Sequence, residues 1–323
     1  VLLWSFTTLL VVMNTTMFNV ALPFVLEDFS LSSSTASWLV SGYSVMFAIS
    51  TITFSRLSDF IPLSRLLLYG ISILGIASII GFFAINFFML LGARILQAAG
   101  AGSVAGLGVI MAGRYIPVSR RGKAMAMIGS GASLAFGLGP VLGGVITQFL
   151  GWNFLFIVTG ISVFCIPFLH RLLPKETMKK GHFDYAGAVI TALSFTSLLL
   201  FLSTFSIVIL ISTFILFIVW WLYLHKTKEP FIPPSLFGDK QYTKLLFIGN
   251  TAFFINFSNL FIMPIILASI FGISPAGVGM IIFPGAILAV IVGPFIGRMI
   301  DRYSSLPIII AGQLLLLSGA ILF

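Results

Sequence analysis

The sequence predicts an all-α protein that crosses a membrane many times. Three observations carry this. Of 323 residues, 59% are hydrophobic and only 8% are charged. Soluble domains carry about 25% charged residues, so no soluble core hides this much apolar surface. Crossing about 30 Å of hydrocarbon takes about 20 apolar residues. Such runs recur eleven times, at 2–24, 37–55, 65–84, 87–112, 122–148, 154–173, 186–204, 206–225, 243–268, 277–299 and 306–323. Finally, sixteen of the seventeen Lys and Arg fall in alternate connections between these runs.

The basic connections hold Arg56 and Arg65, then Arg114 to Lys123, Arg171 to Lys180, Lys226 to Lys244, and Arg298 with Arg302. The intervening connections hold none. A wrong span count would scramble that alternation. The positive-inside rule then puts the basic connections and the amino terminus in the cytoplasm of a multi-pass cell-membrane protein, expected to be bacterial. The net charge of +9 thus reports topology, and no nucleic-acid partner is expected. The single cysteine, Cys165, allows no internal disulfide. The chain starts at Val1 and stops at Phe323 within an apolar run. A fragment lacking a short leading tail and some carboxy-terminal helices is expected. Trp4, Trp38, Trp152, Trp220 and Trp221 stand near span ends, as interface anchors would.

In the first span Asn14, Thr15 and Asn19 interrupt the apolar helix. Such groups either bond neighbouring helices or line a wet cavity. The second span opens with Ser and Thr that can cap a helix. In the turn after it, Asp59 is either a latch for a helix end or a solvated loop carboxylate. Arg94 lies inside the fourth span, three residues before Gln97 and on the same helix face. It is either a buried polar switch or an arginine reaching for the outer interface.

The fifth span is rich in glycine at 129–144, with Gly137, Gly139, Pro140, Gly143 and Gly144 at its centre. Each glycine costs a helix roughly 1 kcal/mol against alanine. Close helix–helix approach repays that, and Pro140 bends the helix. In the ninth span Asn256 and Asn259 share a face beside Phe253, Phe254 and Phe257. Apolar walls with a few polar groups suit a drug-sized ligand.

Asp301 aligns with Asp59 at an offset of 242 residues, placing Arg298 on Arg56 and Gly312 on Gly70. This indicates a duplicated half, as in secondary transporters. The offset is long for two plain six-helix halves, and two helices inserted between them account for the excess. All eight carboxylates, Glu27, Asp28, Asp59, Glu176, Asp184, Glu229, Asp239 and Asp301, lie in connections or at span ends. His170, His182 and His225 lie at span ends as well. A membrane enzyme would need such groups clustered at membrane depth, so no enzyme, metal or cofactor is expected.

Several strings resemble motifs of one family. Residues 137–144 read G-x-G-P-x-x-G-G, similar to the antiporter motif in the fifth helix of drug:proton antiporters of the major facilitator superfamily. Asn19 to Pro23, NVALP, resembles the first-helix motif of its 14-helix members, with Asn14 where they carry an acid. Leu57, Asp59 and Arg65 match the loop between helices 2 and 3, although Ser55 and Pro62 replace its glycines. Arg94, Gln97 and Gly100 match the fourth-helix motif, with Ala98 for its first glycine. Asp184 and Gly187, in F-D-Y-x-G, match what precedes the two extra helices of 14-helix members.

The resemblance is greatest to tetracycline-efflux proteins of that type. It implies the superfamily fold: a six-helix bundle at 1–175, two linker helices at 176–240 and a partial second bundle at 241–323. It implies proton-coupled export of amphipathic drugs by a monomer in lipid. Arg94, Gln97 and Asp59 would couple protons. Asp59, Arg65, Asp301 and Arg302 would form a cytoplasmic latch. Asn14, Asn19, Gln97, Asn256 and Asn259 would bind substrate. Those relatives also carry acids in helices 1 and 5, where Thr15 and Phe136 stand here. A metabolite exporter, an importer and a non-transporting sensor remain the alternatives.

Overall fold

A computed structural model describes the backbone of residues 1–174, 176–177, 183–272, 275–303 and 305–322. Side chains at 33–34, 256–257, 259–265, 268–269, 275–279, 282, 305, 316 and 320–322 lie outside the described residues. The described residues are almost wholly helical, and each predicted run is a helix. The helices are α1 (Leu2–Asp28), α2 (Ser33–Leu57), α3 (Leu63–Phe82), α4 (Phe87–Tyr115) and α5 (Val118–Phe149). Then come α6 (Phe154–Leu172), α7 (Tyr185–Thr204), α8 (Ile207–Lys226), α9 (Lys240–Ser269), α10 (Pro275–Tyr303) and α11 (Ser305–Leu322). Among the described residues, nine helices are long and apolar enough to cross a membrane.

Capping explains several boundaries. The Ser32 hydroxyl accepts from Thr35 N at the start of α2, and Asn86 Oδ1 accepts from Met89 N at the start of α4. Each satisfies an orphan donor of a first turn. Pro62 and Pro117 precede α3 and α5, where a missing N–H costs nothing. The helix α6 is interrupted by a 3-10 turn over Ile161–Cys165, which sequence periodicity does not reveal.

The core lies among α1 to α6, in two apolar clusters. One gathers Trp4, Tyr43, Leu67, Leu74 and Leu107. The other gathers Met17, Phe18, Leu90, Trp152 and Phe156. Helix α4 runs between α2 and α3, and small residues allow it. A methyl on Gly102 would lie 2.7 Å from Thr51 N, and one on Gly100 2.6 Å from Leu74 N. Lipid tails are as apolar as leucine, so close backbone packing of this kind does much of the holding in a membrane.

The tryptophans correct the sequence reading. Trp4, Trp152 and Trp220 are buried within the protein rather than facing the membrane interface. Each indole N–H finds an internal acceptor: Val104 O, Asp28 Oδ2 and Thr191 Oγ1 respectively. A buried indole needs such a partner. Trp38 and Trp221 are exposed, as anchors are.

Helices α7 and α8 form a hairpin that turns at Phe205, which takes a left-handed backbone (φ 50°). Its helices are joined by Ser197 to Thr213 at 2.7 Å and by the Trp220–Thr191 bond. At its base Asp184 caps α7 and accepts from Gly187 N, Tyr223 Oη and Phe231 N. One carboxylate therefore ties α7, α8 and the strap that follows. The strap reaches α2, where Arg56 donates to Pro230 O.

Candidate functional site

Helix α5 lies between α1 and α10, and its glycines serve both neighbours. Toward α1, a methyl on Gly143 would sit 2.7 Å from both Met17 Cα and Met17 O. One on Gly139 would run into the Thr16 hydroxyl, which bridges Met13 O and Ala135 O. Toward α10, a methyl on Gly137 would overlap the Ala286 methyl. Gly144 has only ordinary van der Waals room toward Val20. The contact continues toward the basic end, where Gly297 of α10 approaches Gly122 and Lys123 of α5. Pro140 sits inside α5, and Pro284 and Pro294 inside α10, where each removes a ladder donor. The two helices thus meet along small-residue faces, and both carry prolines that interrupt their hydrogen-bond ladders.

The second feature is the surroundings of Arg94. This arginine is fully enclosed, 1% exposed. Its Nη1 donates to Asn14 Oδ1 at 3.0 Å and to Gln97 Oε1 at 3.1 Å. Asn14 Nδ2 donates back to Gln97 Oε1, and Gln97 Nε2 donates to Ser78 Oγ. The guanidinium carbon lies 4.1 Å from the ring centroid of Phe18 and 4.1 Å from that of Tyr43. A charged side chain inside a membrane-spanning helix is costly unless it is partnered. Two cation–π contacts and two hydrogen bonds from Nη1 oppose that cost without an acid, while the buried Nε has no hydrogen-bond partner among the described residues. The snorkelling alternative is therefore replaced by a buried centre linking α1, α2, α3 and α4.

The third feature lies at the basic end, in the turn between α2 and α3. Asp59 pairs with Arg56 at 3.2 Å and with Arg114 of α4 at 3.4 Å. Arg114 also pairs with Glu176 at 3.6 Å, and Glu176 accepts from Leu63 N at the start of α3. Burial raises the Glu176 carboxyl, but the nearby Tyr115 hydroxyl, the Leu63 amide and Arg114 outweigh it and hold it below its ordinary value. A cavity of about 310 Å³ opens here, lined by Asp59, Phe60, Pro62, Arg114, Glu176 and Thr177 among others. Asp301, which the sequence aligns with Asp59, behaves differently. Asp301 accepts from Gly122 N at 2.7 Å and Lys123 N at 3.0 Å, bridging α10 to the start of α5. A carboxylate near a helix start is favoured by the exposed N–H groups and the dipole.

The structure thus separates the predicted residues into distinct places. Asn14, Arg94 and Gln97 meet in one buried centre. Asn14 and Gln97 are enclosed there, holding Arg94. Asn19 is exposed on α1. Asp59 lies at the basic end, with Arg56 and Arg114 as its ionic partners. Arg65 is exposed at the start of α3, and Arg302 stacks on Tyr303. The side chains of Asn256 and Asn259 lie outside the described residues, while Phe253 and Phe254 point away from the protein interior. Phe18, Ser78, Arg114 and Glu176 were not anticipated as site residues. Phe18 had a signal, since it stands one helical turn from Asn14. Ser78 and Glu176 had none, because only tertiary packing brings them in.

The chain is 26% identical over 299 residues to the riboflavin transporter RibZ of Clostridioides difficile, covering 91% of this chain and 66% of that protein. It is 30% identical over 341 residues to the uncharacterized MFS-type transporter YwoD of Bacillus subtilis, covering 98% and 72%. It is 28% identical to YcnB of the same organism, again covering 66% of that protein. The chain therefore spans about two thirds of the length of these relatives. Among solved structures it resembles the human organic anion transporter MFSD10, with a TM-score of 0.58 at 18% identity, over 92% of this chain and 71% of the other. The sequence profile of the Major Facilitator Superfamily matches residues 4–323. On this match over nearly its whole length, the chain belongs to the Major Facilitator Superfamily.

Proposed function

We propose that this chain is the larger part of an exporter that moves amphipathic, tetracycline-like drugs out of a bacterial cell in exchange for protons, by alternating access. The observation that carries the reading is α5. Its G-x-G-P-x-x-G-G stretch meets α1 through Gly139 and Gly143 and meets α10 through Gly137. A helix packed by small residues against both halves is what a rocking interface needs. In this reading residues 1–175 form one bundle, 176–240 the linker hairpin and 241–323 part of the second bundle. The amino terminus and the basic connections are cytoplasmic. The protein works as a monomer in lipid, with drug and protons as its small partners. Arg94 and Gln97 form the polar switch, and Asp59, Arg65, Asp301 and Arg302 belong to the latch at the cytoplasmic face. Asn19, Asn256 and Asn259 contribute to substrate binding and Asp59 to proton coupling, while Asn14, enclosed against Arg94 and Gln97, reaches substrate only if the buried centre opens.

The test uses the full-length protein in everted membrane vesicles holding a pH gradient. Tetracycline and a dye panel are added, with Arg94→Ala alongside. Dissipation of the gradient by a compound, lost in the variant, is the expected result. A folded, present protein that no compound discharges overturns drug:proton antiport. A second reading is metabolite transport, favoured by the similarity to a riboflavin transporter. Riboflavin flux in the same vesicles, without drug-dependent proton movement, would select it.

A further inference from the structure

The Arg94 centre contains no carboxylate, although a fixed cation is enclosed in it. All eight carboxylates of the sequence lie in connections or at helix ends. The groups that face the guanidinium are Asn14 and Phe18 from α1, Tyr43 from α2 and Gln97 from α4 itself. Asn14 supplies an amide oxygen, which has a dipole but no net charge. What remains to balance the cation are two ring faces, each negative through its quadrupole.

Both rings are as enclosed as the arginine, at 1% exposure each. Both are also braced. Phe18 meets Phe156 edge to face at 5.8 Å, and Tyr43 stacks on Phe47 at 6.2 Å. The rings come from two different helices, and the arginine from a third. Removing water from such a site strengthens the attraction of a cation to a ring.

We propose that Phe18 and Tyr43 are positioning residues that together serve as a neutral counter-ion for Arg94, holding its charge aimed at Asn14 and Gln97 and pinning α1 and α2 to α4. The centre is thereby a caged cation rather than an ion pair. For the transport reading, on which this consequence rests, the cage fixes the polar switch without a carboxylate to protonate beside it. The cage itself stands on geometry and is testable without any substrate.

The experiment is thermal unfolding of the full-length protein in detergent, with mono-, di- and trifluorinated phenylalanine built in at position 18. Fluorine drains charge from the ring face while changing its size little. The expected result is a stepwise fall in Tm of about 1–3 °C per fluorine. The same series is run in Arg94→Met, where the slope is expected to vanish because no cation remains. Tyr43→Phe keeps the ring and is expected to stay near the parent, while Tyr43→Leu falls. Asn14→Asp is expected to restore the Tm of Phe18→Leu, since a carboxylate then replaces the ring. A flat fluorine series, or a slope that persists in Arg94→Met, overturns the cage and leaves packing as the role of Phe18. If Phe18→Leu fails to fold, the fluorine series decides alone. A negative vesicle assay would overturn drug antiport and leave these melting results standing.

Discussion

Two glycines of one helix are expected to respond to the same substitution with opposite signs. Gly143 faces α1, and a methyl there would lie 2.7 Å from Met17 Cα and O. Those atoms are backbone, so relief requires α1 and α5 to separate rather than a side chain to swing. Overpacking of this kind costs about 1–3 kcal/mol, and rigid backbone neighbours favour the upper end. Alanine returns about 1 kcal/mol of helix propensity. The net for Gly143→Ala is thus about 2 kcal/mol of destabilisation. Gly129, fourteen residues earlier, is exposed and has nothing within 4 Å of a built methyl. Gly129→Ala keeps only the propensity gain, up to about 1 kcal/mol of stabilisation. At about 2–4 °C per kcal/mol, the first variant should melt about 4–8 °C below the parent and the second up to about 4 °C above it. The assay is the thermal unfolding of purified protein in one detergent, the three proteins in parallel. Equal shifts for both variants, or a Gly143→Ala protein as stable as the parent, would refute the close α1–α5 contact from which the argument starts.

Three further outcomes are expected. The Glu176 carboxyl is held below its ordinary value of 4.5, so its stabilising contribution is fully present above that value and is lost as pH falls through the lowered one. The Tm gap between parent and Glu176→Gln should therefore be steady near neutrality and close on the acid side of 4.5; a gap unchanged at acid pH would remove the clamp on α3. Asp301→Ala deprives Gly122 N and Lys123 N of their acceptor across the α5–α10 contact. Losing about 1.5 kcal/mol from whichever state holds that contact shifts the balance of states by about tenfold, readable as altered spin-label distances between the basic ends of α5 and α10. Asp184→Ala releases three donors at the hairpin base. It should expose the strap at 228–234 to limited proteolysis, while Asp184→Asn, which retains an acceptor, should be cut more slowly.

The membrane class, the positions of the spans and the alternation of charge were legible along the chain, because hydropathy and charge are local properties that the bilayer reads segment by segment. The same holds for the glycines of α5, whose cost to a lone helix announces a close neighbour. Which neighbour each glycine meets was not legible. Gly137 and Gly139 are two residues apart, yet one faces Ala286 and the other Thr16, because a helix turns by about 200° over two residues.

Arg94 was legible as an oddity, and Gln97 as its companion one turn away. Its aromatic partners were not, since Phe18 and Tyr43 come from 76 and 51 positions upstream and phenylalanine is common throughout the chain. The two aligned aspartates make the same point. Sequence symmetry pairs Asp59 with Asp301, but Asp59 meets Arg56 and Arg114 while Asp301 meets backbone amides of α5. A carboxylate binds whichever donors packing brings within reach, and that is decided between helices, in three dimensions, after each helix has been specified by its own residues.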